Sequence, residues 1–502
     1  MKYLILSLLF IANSVFGQVS PDKLRSFVSS NSKAIISEYQ QFLSIPNETN
    51  DTPNILRNAA FIQGMLERRG IKSTLLTPKK GNPVVFAEIN SAGATKTIIF
   101  YAHYDGQPVN IKQWSPLAKP FEPVFISAPI ERGGHLVTFK QGDEIDPSWR
   151  ISGRASADDK AGVMCIINAY DALIKSGGTP CNIKFFFEGE EEKGSPSLDE
   201  VLKTYKDKLG SDLWIICDGA RSVTGKKLLS FGVRGDVNMR LVLYGPVRPL
   251  HSGNFGNWAP NPGMQMSQLL ASMKDDKGHI LIKGFYDDVI PLTAKEKEAI
   301  KNVPSVDEDL KKELGIAQPD GDGKSYMMML QEPSLNINGF SSGNVGAQAT
   351  NVIPTKAEAV LDLRLVLGND YERQINKVIA HIKSKGYYVI DHEPSLQERL
   401  SHPHIINITH DFGYNAQRTS LDLPIAKSVA AAIQRTIDYP LVLIPGVGGS
   451  LPLFIFERDL KAKVITLPLV NYDNNQHAEN ENVRVDYLFE GIVTVAAVME
   501  MK

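Results

Sequence analysis

Cysteine is scarce in this sequence, and neither sign of charge dominates. The 502 residues include 3 Cys, 54 Lys and Arg, and 56 Asp and Glu, which gives a formal net charge of -2. So few cysteines exclude a disulfide scaffold and allow at most one bridge, and we expect Cys165, Cys181 and Cys217 to be free and buried. The balanced charge provides no basic field for nucleic acid and no polybasic anchor for a membrane. We therefore expect small molecules or peptides as partners.

Long apolar runs are also few, and one of them opens the chain. Residues 1–17 contain one Lys, an apolar run from Tyr3 to Ile11, and small residues before Gly17. This pattern is typical of a cleaved secretory signal, and about ten apolar residues are too few to span a bilayer. The alternative is a buried N-terminal helix. We expect a signal peptide over residues 1–17 and an exported protein, either periplasmic or secreted.

The rest of the chain alternates helical and strand-like segments. Apolar periodicity and capping signals predict helices over residues 21–43, 52–69 and 158–176. Short unbroken apolar runs predict strands that are covered on both faces. These runs are residues 84–89, 97–102, 183–187, 213–217 and 464–470. Helices between such strands predict an α/β fold with a mostly parallel central sheet.

The middle of the chain has a different pattern. Apolar residues occupy every second position from Val237 to Leu243, which is typical of strands that are solvated on one face. A further strand is predicted over 357–366, and helices are predicted over 293–314 and 370–385. This region is therefore expected to form a separate, mostly antiparallel sheet with its own helices.

These two patterns predict a domain inserted into another. The first part of the outer domain is expected over residues 18–235, the inserted α+β domain over 236–399, and the second part of the outer domain over 400–502. The α/β character returns after Ser401, which is why the second boundary is placed there.

Candidate metal ligands follow four of the predicted strands. They are His103, the glutamates at 190–192, Asp218 and His477. In open α/β sheets, ligands bind beyond the carboxyl ends of the strands. Asp158 opens a predicted helix, where the helix dipole favours a carboxylate. Each residue alone also fits a cap, a turn or a solvated loop. Together, two His and three carboxylates suit two divalent cations about 3.5–4 Å apart with one carboxylate between them.

The segments around these residues resemble motifs of the dinuclear-zinc metallopeptidase family. That family includes carnosinase-like dipeptidases, glutamate carboxypeptidases, aminoacylases and succinyl-diaminopimelate desuccinylases. The matching segments are His103-Tyr104-Asp105, Gly153 to Lys160, Glu188 to Ser195, Leu250 to Gly253, Asn351 to Pro354, Asp362 to Arg364, Gly448 to Pro452 and the late His477. The resemblance covers nearly the whole mature chain. It implies a zinc-peptidase-like catalytic domain that is interrupted by a lid and dimerisation domain.

The resemblance also implies which residues bind the metals. The cofactors would be two divalent ions, with zinc expected and manganese or cobalt as alternatives. Asp158 would bridge the ions. The remaining ligands would be His103 and Asp218 on one ion, and Glu192 and His477 on the other.

Three further residues would act on the reaction, again by resemblance. Glu191 would be the general base that takes a proton from the bridging water, the nucleophile, and delivers it to the leaving amine. Asp105 would orient His103. His251 would reach across a homodimer to the neighbouring active site and polarise the scissile carbonyl. The alternative for His251 is a turn residue packed in the lid.

The remaining matches concern substrate binding. Asn351 and Arg364 would hold the carboxylate or backbone of the substrate, since a guanidinium can bind a carboxylate through two hydrogen bonds. Ser450 and the backbone at Gly449 would bind its C-terminal end. Arg364 also fits an exposed strand position, and the glycines also fit a turn before Pro452.

The sequence departs from the family pattern at three positions. Ala155 and Ala161 stand where glycine is usual, and Pro249 replaces a usual polar residue near His251. Alanine is unfavourable at such a position only if the backbone requires a positive φ. We expect a local change of the loop path and an intact set of metal ligands.

We therefore expect an exported metallopeptidase that cleaves the amide bond of dipeptides or short peptides. An N-acyl amino-acid deacylase on the same fold is the alternative, and the sequence does not separate the two. A non-catalytic protein that binds a peptide or a metal is a third reading, which predicts a damaged catalytic set. Glu191 and all five proposed ligands are present. No nucleic acid or membrane partner is expected.

Overall fold

The computed structural model describes residues 18–139, 144–450 and 452–501, with only the backbone of Ser450 described. The predicted signal segment, residues 1–17, lies outside the described residues. Within the described part, no helix combines the length and apolarity that a membrane crossing requires. The three cysteines are free and buried, as predicted.

The helices and strands are named here in chain order. The α-helices are α1 Pro21–Leu43, α2 Thr52–Glu67, α3 Lys160–Ile174, α4 Leu198–Thr204, α5 Ser252–Phe255, α6 Pro262–Ala271, α7 Ala294–Lys301, α8 Asp307–Leu314, α9 Tyr326–Met329, α10 Tyr371–Ser384, α11 Leu396–Ser401, α12 Pro424–Gln434, α13 Phe454–Leu460 and α14 Val485–Met499. The strands are β1 Ser73–Leu76, β2 Val84–Ile89, β3 Thr97–His103, β4 Val124–Ile126, β5 Arg150–Ser152, β6 Asn182–Glu188, β7 Leu213–Ile216, β8 Leu228–Ser230, β9 Gly232–Tyr244, β10 Leu250–His251, β11 Ser334–Ser341, β12 Val352–Ile353, β13 Lys356–Leu365, β14 Tyr388–Ile390, β15 Ile405–His410, β16 Gln417–Arg418, β17 Val442–Ile444, β18 Val447–Ser450, β19 Val464–Thr466 and β20 Asn482–Arg484.

The first sheet has eight strands in the order β1-β2-β6-β3-β7-β19-β8-β17. Its central strands β6, β3, β7 and β19 run parallel to one another. The strands β1 and β2 at one edge are antiparallel. This arrangement confirms the predicted α/β class with a mostly parallel central sheet.

Both faces of the first sheet are covered, and β3 shows how. Ile98 and Phe100 pack into a core shared with α1, α3 and α14, whereas Ile99 and Tyr101 pack into a second core shared with α4 and α13. Burying one large apolar side chain contributes about 1.5–3 kcal/mol, so a strand buried on both faces is held strongly. The ends of these strands therefore form a rigid support for a site.

The second sheet is antiparallel across β11, β13, β9 and β15, and β14 adds a parallel edge. Alternate residues of β9 from Val237 to Leu243 are buried in a separate core with α6 and α10. The opposite face carries polar residues such as Asn238 and Arg240. This confirms the prediction that strands of this region are buried on one face and solvated on the other.

The second sheet extends further along the chain than the sequence predicted. Residues 405–410 form β15, which pairs antiparallel with β9, so the inserted domain does not end at residue 399. The apolar run Ile405-Ile406 fits a strand in either sheet, and local pattern alone does not assign it. The boundary prediction was therefore wrong by at least ten residues, because His410 still belongs to the second sheet.

The single helix predicted over 293–314 is two helices. They are α7 and α8, and Pro304 lies between them. Proline lacks a backbone N–H and disfavours a helical conformation in the preceding residue, which explains the interruption.

A small third sheet joins the end of the chain to the first domain. β20 pairs antiparallel with β5, and β5 pairs with β4. The backbone N–H of Val19 donates to the carboxylate of Glu500 at 2.8 Å, so the two ends of the described chain also meet. The pairing of β20 with β5 places residues 480–482 beside the loop that leads to Asp158.

Candidate metal centre

The predicted ligands lie at the carboxyl ends of the four parallel central strands. His103 is the last residue of β3, Glu192 follows β6, Asp218 follows β7, and His477 is on the long segment after β19. Asp158 comes from the loop just before α3. Neighbouring parallel strands place their carboxyl ends at one sheet edge, which is how residues so distant in the chain come together.

Two groups of three side chains form at this edge. The ligand atoms of His103, Asp158 and Asp218 lie within 4.8 Å of one another, and so do those of Asp158, Glu192 and His477. One carboxylate oxygen of Asp158 is 2.9 Å from Nε2 of His103, and the other is 3.0 Å from Nε2 of His477. All five predicted ligands therefore converge, in the two groups that the resemblance implies, with Asp158 shared between them.

The electrostatics of this cluster fit bound cations. Burial, together with the nearby charge of Asp158, raises the pKa of Asp218 to about 7. Burial also raises the pKa of Glu191 well above its usual value, although nearby His103 opposes this. Positive charge between these carboxylates would offset both effects. Imidazole and carboxylate ligands without a thiol suit zinc and similar divalent ions, so the residues fit a two-metal centre.

The three consecutive glutamates have different surroundings. Glu190 is buried, and its carboxylate accepts from the backbone N–H groups of Asn82 at 3.1 Å and Ser197 at 2.8 Å. Glu191 places a carboxylate oxygen 3.8 Å from Nε2 of His103. Glu192 places one 3.2 Å from Nε2 of His477. The hydrogen bonds of Glu190 thus support the fold, whereas Glu191 and Glu192 reach the cluster. These are the two glutamates that were predicted to do so.

Asp105 holds both sides of the cluster in position. Its Oδ1 lies 3.4 Å from Nδ1 of His103, on the ring edge that faces away from Asp158. The same carboxylate accepts from the backbone N–H groups of Glu191 and Glu192, each at 3.1 Å. The predicted contact with His103 is present, and the contacts with both glutamates were not predicted. Asp105 therefore fixes the relative placement of a ligand and of the proposed base.

Glu481 is a residue of the site that the sequence analysis missed. It is fully buried, and it accepts from the guanidinium of Arg154 at 2.8 Å. It also accepts from the backbone N–H groups of Ala155, Ala157 and Asp158 at 2.8–3.0 Å. One carboxylate thus holds the whole loop that presents Asp158. The only sequence signal is an acidic residue four positions after His477, which is too common a pattern to notice.

The same loop shows that an alanine occupies a position suited to glycine. Ala155 is fully buried and has a φ of 62°, in the left-handed region. Alanine was predicted to be unfavourable here only if the backbone has a positive φ, and the backbone of Ala155 has one. The N–H of Ala155 donates to Glu481, so this contact is one that keeps the loop in its conformation. Ala161, the other replaced glycine, lies in the first turn of α3 and needs no such backbone.

The predicted substrate-binding residues lie on elements of the second sheet and its neighbours. His251 on β10 is paired opposite Val352 on β12, and the carbonyl of Asn351 accepts from the N–H of Ser252 at 2.9 Å. His251 and Asn351 are therefore adjacent, but they lie outside the two ligand groups.

Arg364 and Gly449 lie elsewhere on that sheet. Arg364 is on β13, where its guanidinium is 3.0 Å from Asp362 and 3.6 Å from Asp236. Gly449 is exposed on β18, which runs parallel to the start of β9. The side chain of Ser450 lies outside the described part, so its predicted role stays a prediction, as do the roles of the other three.

Comparison with known proteins places this site in a family. The model of Peptidase family M20/M25/M40 matches residues 99–501. The Cys-Gly metallodipeptidase DUG1 of Saccharomyces cerevisiae is 30% identical over 426 residues, which is 83% of this chain and 82% of that protein. The human Beta-Ala-His dipeptidase is 28% identical over 425 residues, 83% of this chain and 76% of that protein.

Solved structures agree with these relatives. The M20 family metallo-carboxypeptidase Sso-CP2 from Sulfolobus solfataricus aligns with a TM-score of 0.75 and 28% identity, over 93% of this chain and 98% of that one. The dipeptidase Dug1p from Saccharomyces cerevisiae aligns with a TM-score of 0.70 and 26% identity, over 96% and 98%. The predicted family and the predicted enzyme class, a hydrolase of peptides, are confirmed. The chain belongs to Peptidase family M20/M25/M40.

Proposed function

We propose that this protein is an exported, zinc-dependent dipeptidase that works as a homodimer. One observation carries the catalytic part of the proposal. Asp158 is shared by two groups of three ligands, and the carboxylate of Glu191 lies beside them without belonging to either. A carboxylate that is near a pair of cations but is free of them can accept a proton, and this is the part that a binding protein does not need.

Two divalent cations held by the five ligands would supply Lewis acidity and would lower the pKa of water at the site. The side chains of the protein would transfer the protons and hold the base in position. Glu191 would take a proton from the attacking water and pass it to the amine that leaves. Asp105 holds the backbone of Glu191 by a hydrogen bond, so the base is fixed before substrate arrives.

The proposed substrate rests on the names of the relatives. The yeast relative is called a Cys-Gly metallodipeptidase and the human relative a Beta-Ala-His dipeptidase, and each name describes a dipeptide substrate. In this chain, Asn351 and Arg364 would bind the carboxylate or backbone of the dipeptide, and Gly449 and Ser450 its C-terminal end. His251 would act on the active site of the second copy, which is the reason for proposing a dimer.

Zinc and export remain parts of the proposal that rest on chemistry and sequence. The donor set of imidazole and carboxylate oxygen also accepts manganese and cobalt. Metal analysis of protein purified without added metal should find zinc at two ions per chain. The residues 1–17 have the pattern of a secretory signal, and the mature protein should begin near Gln18 when isolated from the producing cell.

A substrate comparison tests the activity itself. The purified protein should hydrolyse members of a panel of dipeptides and leave the matching N-acetyl amino acids intact. Turnover of the N-acetyl series alone would instead identify a deacylase on the same fold. Turnover of neither series, with two metals bound, would point to a binding protein.

The variant Glu191→Gln tests the proposed base. It keeps the size of the side chain and the hydrogen bond from the backbone N–H to Asp105, but it removes the carboxylate that accepts a proton. We expect turnover to fall by about 10²–10⁴-fold, the usual contribution of general acid–base catalysis, while metal content stays at the level of the unmodified protein. Glu190→Gln is the matched control and should retain metal and turnover in the folded fraction. Unchanged turnover in Glu191→Gln would remove Glu191 from the mechanism.

A further inference from the structure

A cavity with an excess of positive charge lies outside the metal centre. Its volume is about 580 Å³, and its charged lining consists of Arg25, Arg221, Lys227, Arg435, Glu490 and Asp438. Four cationic side chains thus face two carboxylates. None of the lining residues belongs to the two groups of metal ligands. The activity proposed above gives this cavity no role.

The half-buried carboxylate of the cavity, Glu490, is already paired. Glu490 accepts from Nε of Arg25 at 2.8 Å and from Nζ of Lys227 at 3.0 Å. Arg25 also donates to the backbone carbonyl of Thr436 at 2.7 Å. These contacts neutralise about one of the positive charges, and Glu500 lies 4.0 Å from Arg435. Arg221 has no ion pair with a carboxylate among the described residues.

Arg221 is the cation that the described residues leave least satisfied. It is 6% exposed, and its Nε has no hydrogen-bond partner among the described residues. One Nη donates to the carbonyl of Tyr487 at 3.3 Å, and the guanidinium stacks on the Tyr487 ring at 4.4 Å. A buried guanidinium with open donors is costly unless an acceptor reaches it.

Lys227 responds to the same excess of charge. It is 3% exposed, and burial together with the nearby charge of Arg221 lowers its pKa to about 8. Burial lowers the pKa of Arg221 as well. A bound anion would stabilise the charged forms of Lys227 and Arg221. The charge of this cavity therefore favours binding of an anion.

We propose that this cavity is a binding site for a phosphate group, either free or carried by a small metabolite. Guanidinium groups match phosphate oxygens because they offer two donors in one plane. Arg221 and Arg435 would supply such donors, and Lys227 would add a point charge. The cavity falls within the size range of small-molecule sites, so a phosphate ester also fits.

Calorimetric titration of the metal-loaded protein tests the proposal. Inorganic phosphate and glycerol 3-phosphate are titrated separately, and the tighter binder shows which form the site prefers. At least one of them should bind saturably. In Arg221→Gln that binding should weaken by about tenfold or more, because a charge-assisted hydrogen bond and a charge are lost.

Two further variants make the result decisive. Arg435→Gln removes a side chain that is only partly buried and makes one distant contact, at 4.0 Å to Glu500, so it should fold normally and also bind phosphate more weakly. Lys203→Gln removes an exposed charge on α4 and should bind like the unmodified protein. Absence of saturable binding overturns the proposal. Binding that is equal in the unmodified protein and both arginine variants belongs to the metal centre and overturns it too.

Discussion

The eight-stranded first sheet and the seven-stranded second sheet differ in how many of their faces are covered. Helices pack on both faces of the first sheet, whereas the second sheet has helices on one face and polar residues on the other. All five converging ligands come from the first domain, and four of them follow its central parallel strands. A sheet buried on both sides leaves only its edges and strand ends for polar chemistry, and that is where the site lies.

The second sheet supplies a different kind of surface. Its exposed face and its loops carry His251, Asn351 and Arg364, which belong to neither ligand group. If the first domain binds the metals and the second domain contacts the substrate, substitutions in the first should weaken metal binding. Substitutions in the second should leave metal binding unchanged.

Glu481→Ala should lower the free energy of unfolding by about 3–5 kcal/mol, because it leaves the buried Arg154 without its counter-charge. The same change leaves the N–H groups of Ala155, Ala157 and Asp158 without an acceptor. Metal affinity should fall by about 10–100-fold, as is usual when the support of a ligand is removed. Urea unfolding and metal titration measure the two effects.

The control for this change is Glu481→Gln, which keeps one carbonyl acceptor and the side-chain volume. It should lose less stability than the alanine variant. A loss below about 1 kcal/mol in Glu481→Ala, within the range of ordinary surface substitutions, would show that the loop before α3 does not depend on this carboxylate.

A pair of core variants compares the two domains directly. Leu361→Ala in the second core and Ile215→Ala in the first should each cost about 2–5 kcal/mol, because both side chains are fully buried. Ile215 is on β7, which leads to Asp218, and so its variant should also bind metal more weakly. Leu361→Ala should bind metal normally while folded. Loss of metal from folded Leu361→Ala would contradict the hypothesis that only the first domain determines metal binding.

His251→Ala should lower turnover by about a hundredfold or more, the usual effect of removing one donor to a developing oxyanion. Its metal content should be that of the unmodified protein, because His251 is in neither ligand group. His410→Ala is the control, since that exposed histidine ends β15 of the second sheet and is also in neither ligand group. Steady-state kinetics with a dipeptide and metal analysis check both. Equal turnover in the two variants would assign His251 to packing only.

The smallest effect separates two alanines of the first domain. Ala155→Gly and Ala161→Gly each remove a fully buried methyl group, and both raise the entropy of the unfolded chain. Only Ala155 has a left-handed backbone, which costs an L-residue about 1–2 kcal/mol. Thermal unfolding should therefore find Ala155→Gly more stable than Ala161→Gly by about 1–2 kcal/mol. The reverse order would show that the loop holds Ala155 without strain.

Residues with a local signal were predictable, and residues defined by distant contacts were not. The bounds of β2 and α1 follow from apolar runs and caps, and the structure has them as predicted. Four of the five ligands could be found because each follows a strand whose burial is visible in the sequence, and Asp158 because it opens a predicted helix. Glu481 could not, since its importance comes from four contacts with a loop more than three hundred positions earlier.

The errors in the fold have the same origin. The apolar run of β15 fits a strand, but its partner β9 is far away in the sequence, so the inserted domain was predicted to end too early. The interruption between α7 and α8 was different, because Pro304 is a local signal that outweighs the charged helical pattern around it. Asp105 was predicted to touch His103, while its contacts with Glu191 and Glu192 depend on how a turn after β6 folds back.

His103 and His477 reach the same carboxylate, that of Asp158, although most of the 502-residue sequence lies between them. A ribosome must therefore complete that long stretch before the two imidazoles can meet. A nascent chain that has already exposed Asp158 and Glu191 still lacks one side of the cluster. If the five ligands act as proposed, the order of synthesis thus delays peptide cleavage until the polypeptide is almost finished.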